Sequence, residues 1–219
     1  MDAFCSWSGG KDSSLAWDLA VDEYDVSRFV TMMVDGRDDR DAGSYHELIR
    51  RQARSVGTTL VQRRVTWETY EEQFKRVLES LDEKYGVFGT VDVDADREWV
   101  ESICDETGVT PVFPLWDREP TATYRTFLDR GFEARVAKLD STEIDERWLG
   151  RPLDETFLNH LHERGVHPLG EGGEYHTVTV DGPSFETRID LELVGSKRQG
   201  DDIVATFELE PEDTRDSQT

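Results

Sequence analysis

Ser8-Gly9-Gly10-Lys11-Asp12-Ser13 decides the reading of this chain, because it stands directly after an apolar run at 3–7 and directly before a helical pattern at 13–23. Strand, glycine pair and helix make an anion site in outline. Two glycines let the backbone approach a ligand without a Cβ in the way, while the amides and dipole of the helix N-terminus favour negative charge. Ser8 and Ser13 add hydroxyl donors and Lys11 a point charge, so every group here suits phosphate. The spacing is not that of a Walker A loop, which needs four residues between its first glycine and the Gly-Lys pair, and no Rossmann fingerprint is present. Lys11 and Asp12 are expected at a solvent-facing helix start, where replacing them would hardly move stability.

Outward from the loop, short apolar runs alternate with helical stretches. Strands are expected at 28–34, 59–65, 87–91, 112–114 and 134–139, with helices at 45–56, 69–84, 94–106 and 121–130 between them. This βαβα order predicts an α/β fold, a doubly wound parallel sheet with helices on both faces. After residue 140 the character changes. A helix at 154–163, a glycine-rich turn and runs at 175–180, 186–194 and 203–209, punctuated by Asp181-Gly182-Pro183 and Gly200-Asp201, predict antiparallel strands. The expected organisation is a first part over 1–140 carrying the loop, a smaller C-terminal α+β part over 141–210 sharing one cleft with it, and a frayed acidic tail over 211–219.

The 219 residues include 25 Lys plus Arg against 48 Asp plus Glu, a formal charge of −23. The acidity is spread along the chain and Lys is scarce beside Arg, which reads as a halophilic surface: high salt screens the self-repulsion. It argues against strong nucleic-acid binding, which draws on phosphate neutralisation by Lys and Arg. No apolar run is long enough to cross a bilayer, and 1–4 has no basic region or long apolar stretch, so the cytoplasm is the expected compartment. Cys5 and Cys104 are the only cysteines and are expected as buried reduced thiols.

Gly170-Glu171-Gly172-Gly173-Glu174-Tyr175-His176-Thr177 is the second informative stretch. Two carboxylates flank a backbone kept small by glycine, and Tyr175, His176 and Thr177 open a strand, a plausible wall for a polar ligand. An acidic turn is unremarkable by itself in so acidic a chain; its neighbours give it weight.

Ser-Gly-Gly-Lys-Asp-Ser after the first strand resembles the pyrophosphate loop of the PP-loop ATP pyrophosphatases, of the adenine nucleotide alpha hydrolase-like type. The resemblance implies strand order 3-2-1-4-5, ATP over the carboxyl ends of the strands, and cleavage between the α and β phosphates to adenylate a substrate oxygen. By that likeness Ser8, Gly9, Gly10, Lys11 and Ser13 hold phosphate, Asp12 sits near a bound Mg²⁺, and the adenine lies near Met33. The Glu-Gly-Gly-Glu stretch resembles that of the diphthine-ammonia ligase branch, which completes diphthamide on elongation factor 2. Ser44-Tyr45-His46-Glu47-Leu48, Pro114-Leu115-Trp116 and Trp148-Leu149-Gly150-Arg151 extend the likeness over nearly the whole chain. It implies ammonium as nitrogen donor, Lys11, Asp12 and Glu174 as catalytic groups, and His46 with residues 171–177 facing the acceptor. Tyr175 would offer a ring face, and Glu171 and Glu174 charge, to the quaternary ammonium of diphthine.

Two departures stand out. Gly89-Thr90-Val91 occupies the place of an expected Gly-Asp-Ile, with Asp92 and Asp94 as nearby substitutes for the missing carboxylate. His176 stands where a Glu is expected, and an aromatic-His-Thr ending is similar to a sister branch acting in cobamide salvage, so the acceptor stays open between the two. The five histidines form no compact metal motif. A sulfur-transferring tRNA enzyme is disfavoured by two non-loop cysteines and the charge, and a glutamine-hydrolysing amidotransferase by the lack of room for a glutaminase domain. The non-enzymatic alternative is a nucleotide-binding module, against which the complete loop argues.

Overall fold

The computed structural model describes residues 1–34 and 42–210; the side chain of Ser44 and the tail 211–219 lie outside the described residues. Strands β1 (Asp2–Ser6), β2 (Asp25–Val34), β3 (Thr59–Val65), β4 (Tyr85–Val87) and β5 (Thr110–Val112) form one parallel sheet. Its order is β3-β2-β1-β4-β5, as the loop's resemblance implied. Chain order reverses between β1 and β4, and ligands of open α/β sheets bind in the crevice outside the carboxyl ends of strands at such a switch point. The glycine-pair loop follows β1, so the topology sets it at that crevice.

β1 is buried on both faces, as a central parallel strand should be. Ala3, Cys5 and Trp7 pack with Leu15 and Trp17 of helix α1 (Lys11–Ala20) and Ile49 of α2 (Ala42–Val56). Phe4 packs instead with Phe74 and Leu78 of α3 (Tyr70–Glu79) and Ile103 of α4 (Asp94–Thr107). The period of two in β1 thus divides the helices between the two faces. Trp7 stacks on Phe29, centroids 3.9 Å apart at 4°, directly beneath the loop.

Several expected bounds move, each for a local reason. α3 stops at Glu79, five residues short of the expected end, and Glu83 turns inward to accept from Arg28 Nε at 2.7 Å. β4 and β5 end at Val87 and Val112 because they pair only over three residues, and Pro111 is tolerated on the edge strand. The run at 186–194 is not one strand: Glu186 and Thr187 dock on Ser55 at the end of α2, and the strand runs Leu191–Gln199.

The largest correction concerns 134–139, expected as the last parallel strand. After α5 (Pro120–Asp129), β6 (Glu133–Asp140) leaves that sheet and pairs antiparallel with β7 (Tyr175–Asp181) and β9 (Asp202–Leu209). With β8 (Leu191–Gln199) they form a second sheet of order β7-β6-β9-β8. The change of sheet therefore falls between β5 and β6 rather than at residue 140. A crossover helix, α5, precedes β6, yet β6 takes its partners from the chain that follows: α6 (Glu155–Arg164), capped by the Asp154 carboxylate on Phe157 N, leads through the glycine-rich turn into β7. Among the described residues no helix is long and apolar enough to cross a membrane. Cys5 and Cys104 are free and buried, and burial pushes the Cys104 thiol up to about 12.

Candidate active site

The loop after β1 is held from three sides. Gly9 has φ +74°, open to glycine, and a Cβ there would lie 2.4 Å from Ile49 Cδ1. Fully buried Gln52 on α2 donates through Nε2 to Gly9 O (2.9 Å) and Thr179 O (2.7 Å), while its Oε1 accepts from Trp7 Nε1 (2.8 Å). From β7, Thr179 N donates to Gly9 O at 2.8 Å and Thr177 Oγ1 accepts from Lys11 N at 3.0 Å. The second sheet therefore clamps the first sheet's loop.

What remains open is the start of α1. Gly10 is its N-cap and supplies no side-chain cap; the Lys11 amide is taken by Thr177 Oγ1, which leaves the next amides of the first turn and the helix dipole to an anion. Gly89, just past β4, comes so close that a Cβ would sit 2.9 Å from Ser13 N and from the Asp12 carbonyl carbon. Any side chain at 89 would crowd the helix start; the need for glycine there is not legible in the sequence. Ser8 Oγ and Ser13 Oγ lie 3.1 Å apart at the same end.

Lys11 departs from expectation. It is buried, 4% exposed, and its ammonium donates to Leu169 O (2.5 Å) and to Asp12 Oδ2 (2.9 Å). It also lies 4.8 Å from the centroid of the Tyr175 ring. Its three protons are thus directed at two oxygens and a ring face, and the lysine ties the loop to the glycine-rich turn. Leu169 is gripped from its other side by His167, whose Nδ1 accepts from Leu169 N at 3.2 Å and whose Nε2 lies 3.1 Å from Asp92 Oδ2.

A cleft of about 980 Å³ opens where these parts meet. Of the expected site residues Ser8, Gly10, Lys11, Asp12, Ser13, Glu171, Gly172, Gly173, Tyr175, His176 and Thr177 line it. Met33 does not: it is buried, 5% exposed, and the neighbouring Met32 lines the cleft. His46 does not line it either. It lies with Gln62 Nε2 3.4 Å from its carbonyl, whereas Tyr45 lines the cleft and donates to Ser8 O at 2.6 Å. Gly9 is absent from the lining because it braces the loop from behind.

The two carboxylates of the second motif separate. Glu171 faces the cleft, and burial, then the charge of Asp12, pushes its carboxyl up to about 7. Glu174 does not line the cleft; its carboxylate lies against Gly172, and its buried Oε2 accepts no hydrogen bond among the described residues. Tyr175 is 1% exposed and donates to Pro168 O at 2.6 Å, so with Lys11 over its ring it has no face left for an external cation. Near Thr90 the cleft carboxylate is Asp96, and Asp92 is engaged with His167. Trp67, Tyr70 and Trp99 form an aromatic wall of the cleft, in keeping with Trp99 being expected as core or wall. Among the described residues no group of three or more His, Cys, Asp or Glu side chains could hold a metal ion.

A parallel sheet of order β3-β2-β1-β4-β5, with a clamped glycine-pair loop at its switch point and a second antiparallel sheet, defines an α/β protein of the PP-loop type. A family model described as the diphthamide synthase N-terminal domain matches residues 1–111, and one described as the diphthamide synthase C-terminal domain matches 119–208. The chain belongs to the diphthamide synthase family. A Bos taurus relative named diphthine--ammonia ligase is 30% identical over 152 residues, covering 66% of this chain and 56% of that protein. A relative of the same name from Schizosaccharomyces pombe is 25% identical over 213 residues, 84% of this chain and 35% of that protein. The chain thus spans about half or less of these relatives' length. A solved structure described as a predicted subunit of tRNA methyltransferase from Methanocaldococcus jannaschii matches at TM-score 0.44 and 21% identity, over 77% of this chain and 90% of that one, a likeness too slight to bear on function.

Proposed function

We propose that this protein amidates a carboxylate at the expense of ATP, the substrate being diphthine on elongation factor 2 and the nitrogen donor ammonium. The observation that carries the reading is the meeting of the two motifs in one cleft: the open start of α1 and the Glu171 turn, joined by Lys11 through Leu169 O. An activated acyl group and its attacking nitrogen need to be held side by side, and such positioning supplies most of the acceleration when no covalent enzyme intermediate is formed. Both thiols are buried, so no cysteine nucleophile serves the cleft. The relatives named diphthine--ammonia ligase agree with the reading over the parts they share.

ATP would lie over the carboxyl ends of the strands with its phosphates on the α1 amides and the hydroxyls of Ser8 and Ser13. Carboxylate attack on the α-phosphorus would form an acyl-adenylate and release pyrophosphate; ammonia would then displace AMP. Mg²⁺ would reach the protein through Asp12, one cleft carboxylate with the other ligands drawn from phosphate and water, a donor set that Mg²⁺ commonly accepts. It would neutralise phosphate charge. Glu171 would meet the acceptor, and Glu174, turned beneath Gly172, would shape the turn. Deletion of the gene followed by mass spectrometry of elongation factor 2 tests this. Unamidated diphthine restored to diphthamide by wild type but not by Asp12→Ala is expected; normal diphthamide in the deletion strain would remove the reading and promote cobamide salvage.

A further inference from the structure

We propose that Lys138 on β6 is the cation that binds the pyrophosphate portion of ATP in this cleft, an inference that rests on the ATP reading above. Among the described residues the cleft is lined by four carboxylates, Asp12, Glu71, Asp96 and Glu171, and by two lysines, Lys11 and Lys138, with no arginine. A polyphosphate entering so acidic a cleft needs positive charge from the protein as well as from its metal ion. Lys11 is committed to Leu169 O, Asp12 and the Tyr175 ring, and moving it would leave a buried carbonyl without its partner.

Lys138 is placed differently. Its ammonium pairs with Asp202 Oδ2 at 2.8 Å, and the side chains are 17% and 37% exposed, so Asp202 can turn to water when a stronger anion arrives. Its orientation is built into the strand. On β6, Ala134 and Val136 face the main core, so regular alternation would send residue 138 inward as well. Between Val136 and Lys138 the pairing with β7 slips by one residue: Val136 opposes Thr177, but Lys138 opposes His176. After this bulge Leu139 takes the core-facing place and Lys138 is turned to the cleft. Its cross-strand neighbour His176 lines the same cleft, and the next residue, Thr177, is the one that accepts from Lys11 N in the phosphate loop. Bulges are over-represented beside active sites, where they re-aim a side chain, and this one aims a lysine into the cleft.

The test is calorimetric binding of Mg-ATP, Mg-pyrophosphate and AMP to wild type, Lys138→Gln, Lys138→Arg and Asp202→Asn at one salt concentration. Lys138→Gln should weaken ATP and pyrophosphate at least tenfold and AMP less than about twofold, with Lys138→Arg within about threefold of wild type. Asp202→Asn, which breaks the same ion pair but keeps the lysine, should bind pyrophosphate at least as tightly as wild type. Wild-type affinity of Lys138→Gln for pyrophosphate, or a loss of affinity in Asp202→Asn equal to that in Lys138→Gln, would overturn the inference and leave the ATP reading standing. Failure of wild type to bind ATP at all would overturn both.

Discussion

At the scale of single residues the chemistry of the site turns on two charged groups in unexpected surroundings. Lys11 stands at the start of a helix, a position that reads as exposed, yet the chain some 160 residues later folds back over it and supplies Leu169 O and the Tyr175 ring. Lys11→Ala would strip a buried carbonyl of its donor and remove the cation–π contact. A loss of about 2–4 kcal/mol is expected in denaturant unfolding; an unchanged midpoint would restore the solvent-facing picture. Glu171 carries the opposite prediction. Its carboxyl is raised from 4.5 to about 7 in the fold, so between those values the unfolded chain has released a proton that the native state keeps. Native stability therefore falls as pH rises through this window, by on the order of 1–3 kcal/mol. Glu171→Gln should be more stable than wild type at pH 8 in metal-free buffer, and the gap should close toward pH 4.5. Parallel curves for the two proteins would contradict it.

At the scale of elements the phosphate loop is a three-way junction of β1–α1, α2 and β7, with Gln52 as its pin. Gln52→Leu would keep the size of the side chain but take the acceptor from Trp7 Nε1, one donor from Thr179 O, and one of the two donors of Gly9 O, which keeps Thr179 N. A cost of about 2–4 kcal/mol and a clear loss of ATP affinity are expected together; normal ATP affinity in a folded variant would show that the pin does not shape the loop. The loop itself was legible because glycine, serine and lysine at a strand–helix junction state their chemistry locally. Gln52 was not, since a glutamine on a helix declares no partner until β7 arrives. Strand phase was equally hidden: 29–34 is apolar on both faces, so nothing in it shows that Met32 meets the cleft and Met33 the interior. The escape of β6 into a second sheet was masked by the βαβ alternation before it, which runs on through α5 and α6 while the antiparallel partners of β6 lie about 40 to 70 residues further along the chain.

At the scale of the whole molecule the charge of −23 and the two-sheet cleft act together. Raising salt from about 0.1 M to 1 M shortens the Debye length from about 10 Å to about 3 Å and screens the self-repulsion of the acidic surface. The thermal midpoint should rise by several degrees over that range, and a flat or falling midpoint would show that the acidity imposes no cost on compaction. The same charge makes the cleft inhospitable to a bare polyphosphate. A metal ion, the α1 dipole and Lys138 are the means by which the molecule would accept one. The most direct measurement of the central claim is a reconstituted reaction in high salt, with purified protein, Mg-ATP, ammonium and elongation factor 2 bearing diphthine, following nucleotide products and the mass of the modified histidine. AMP and pyrophosphate are expected in step with amide formation, with no turnover without the acceptor and, without ammonium, at most one pyrophosphate per acceptor and no amide; ADP and phosphate, or sustained nucleotide turnover with the diphthine mass unchanged, would contradict the reading.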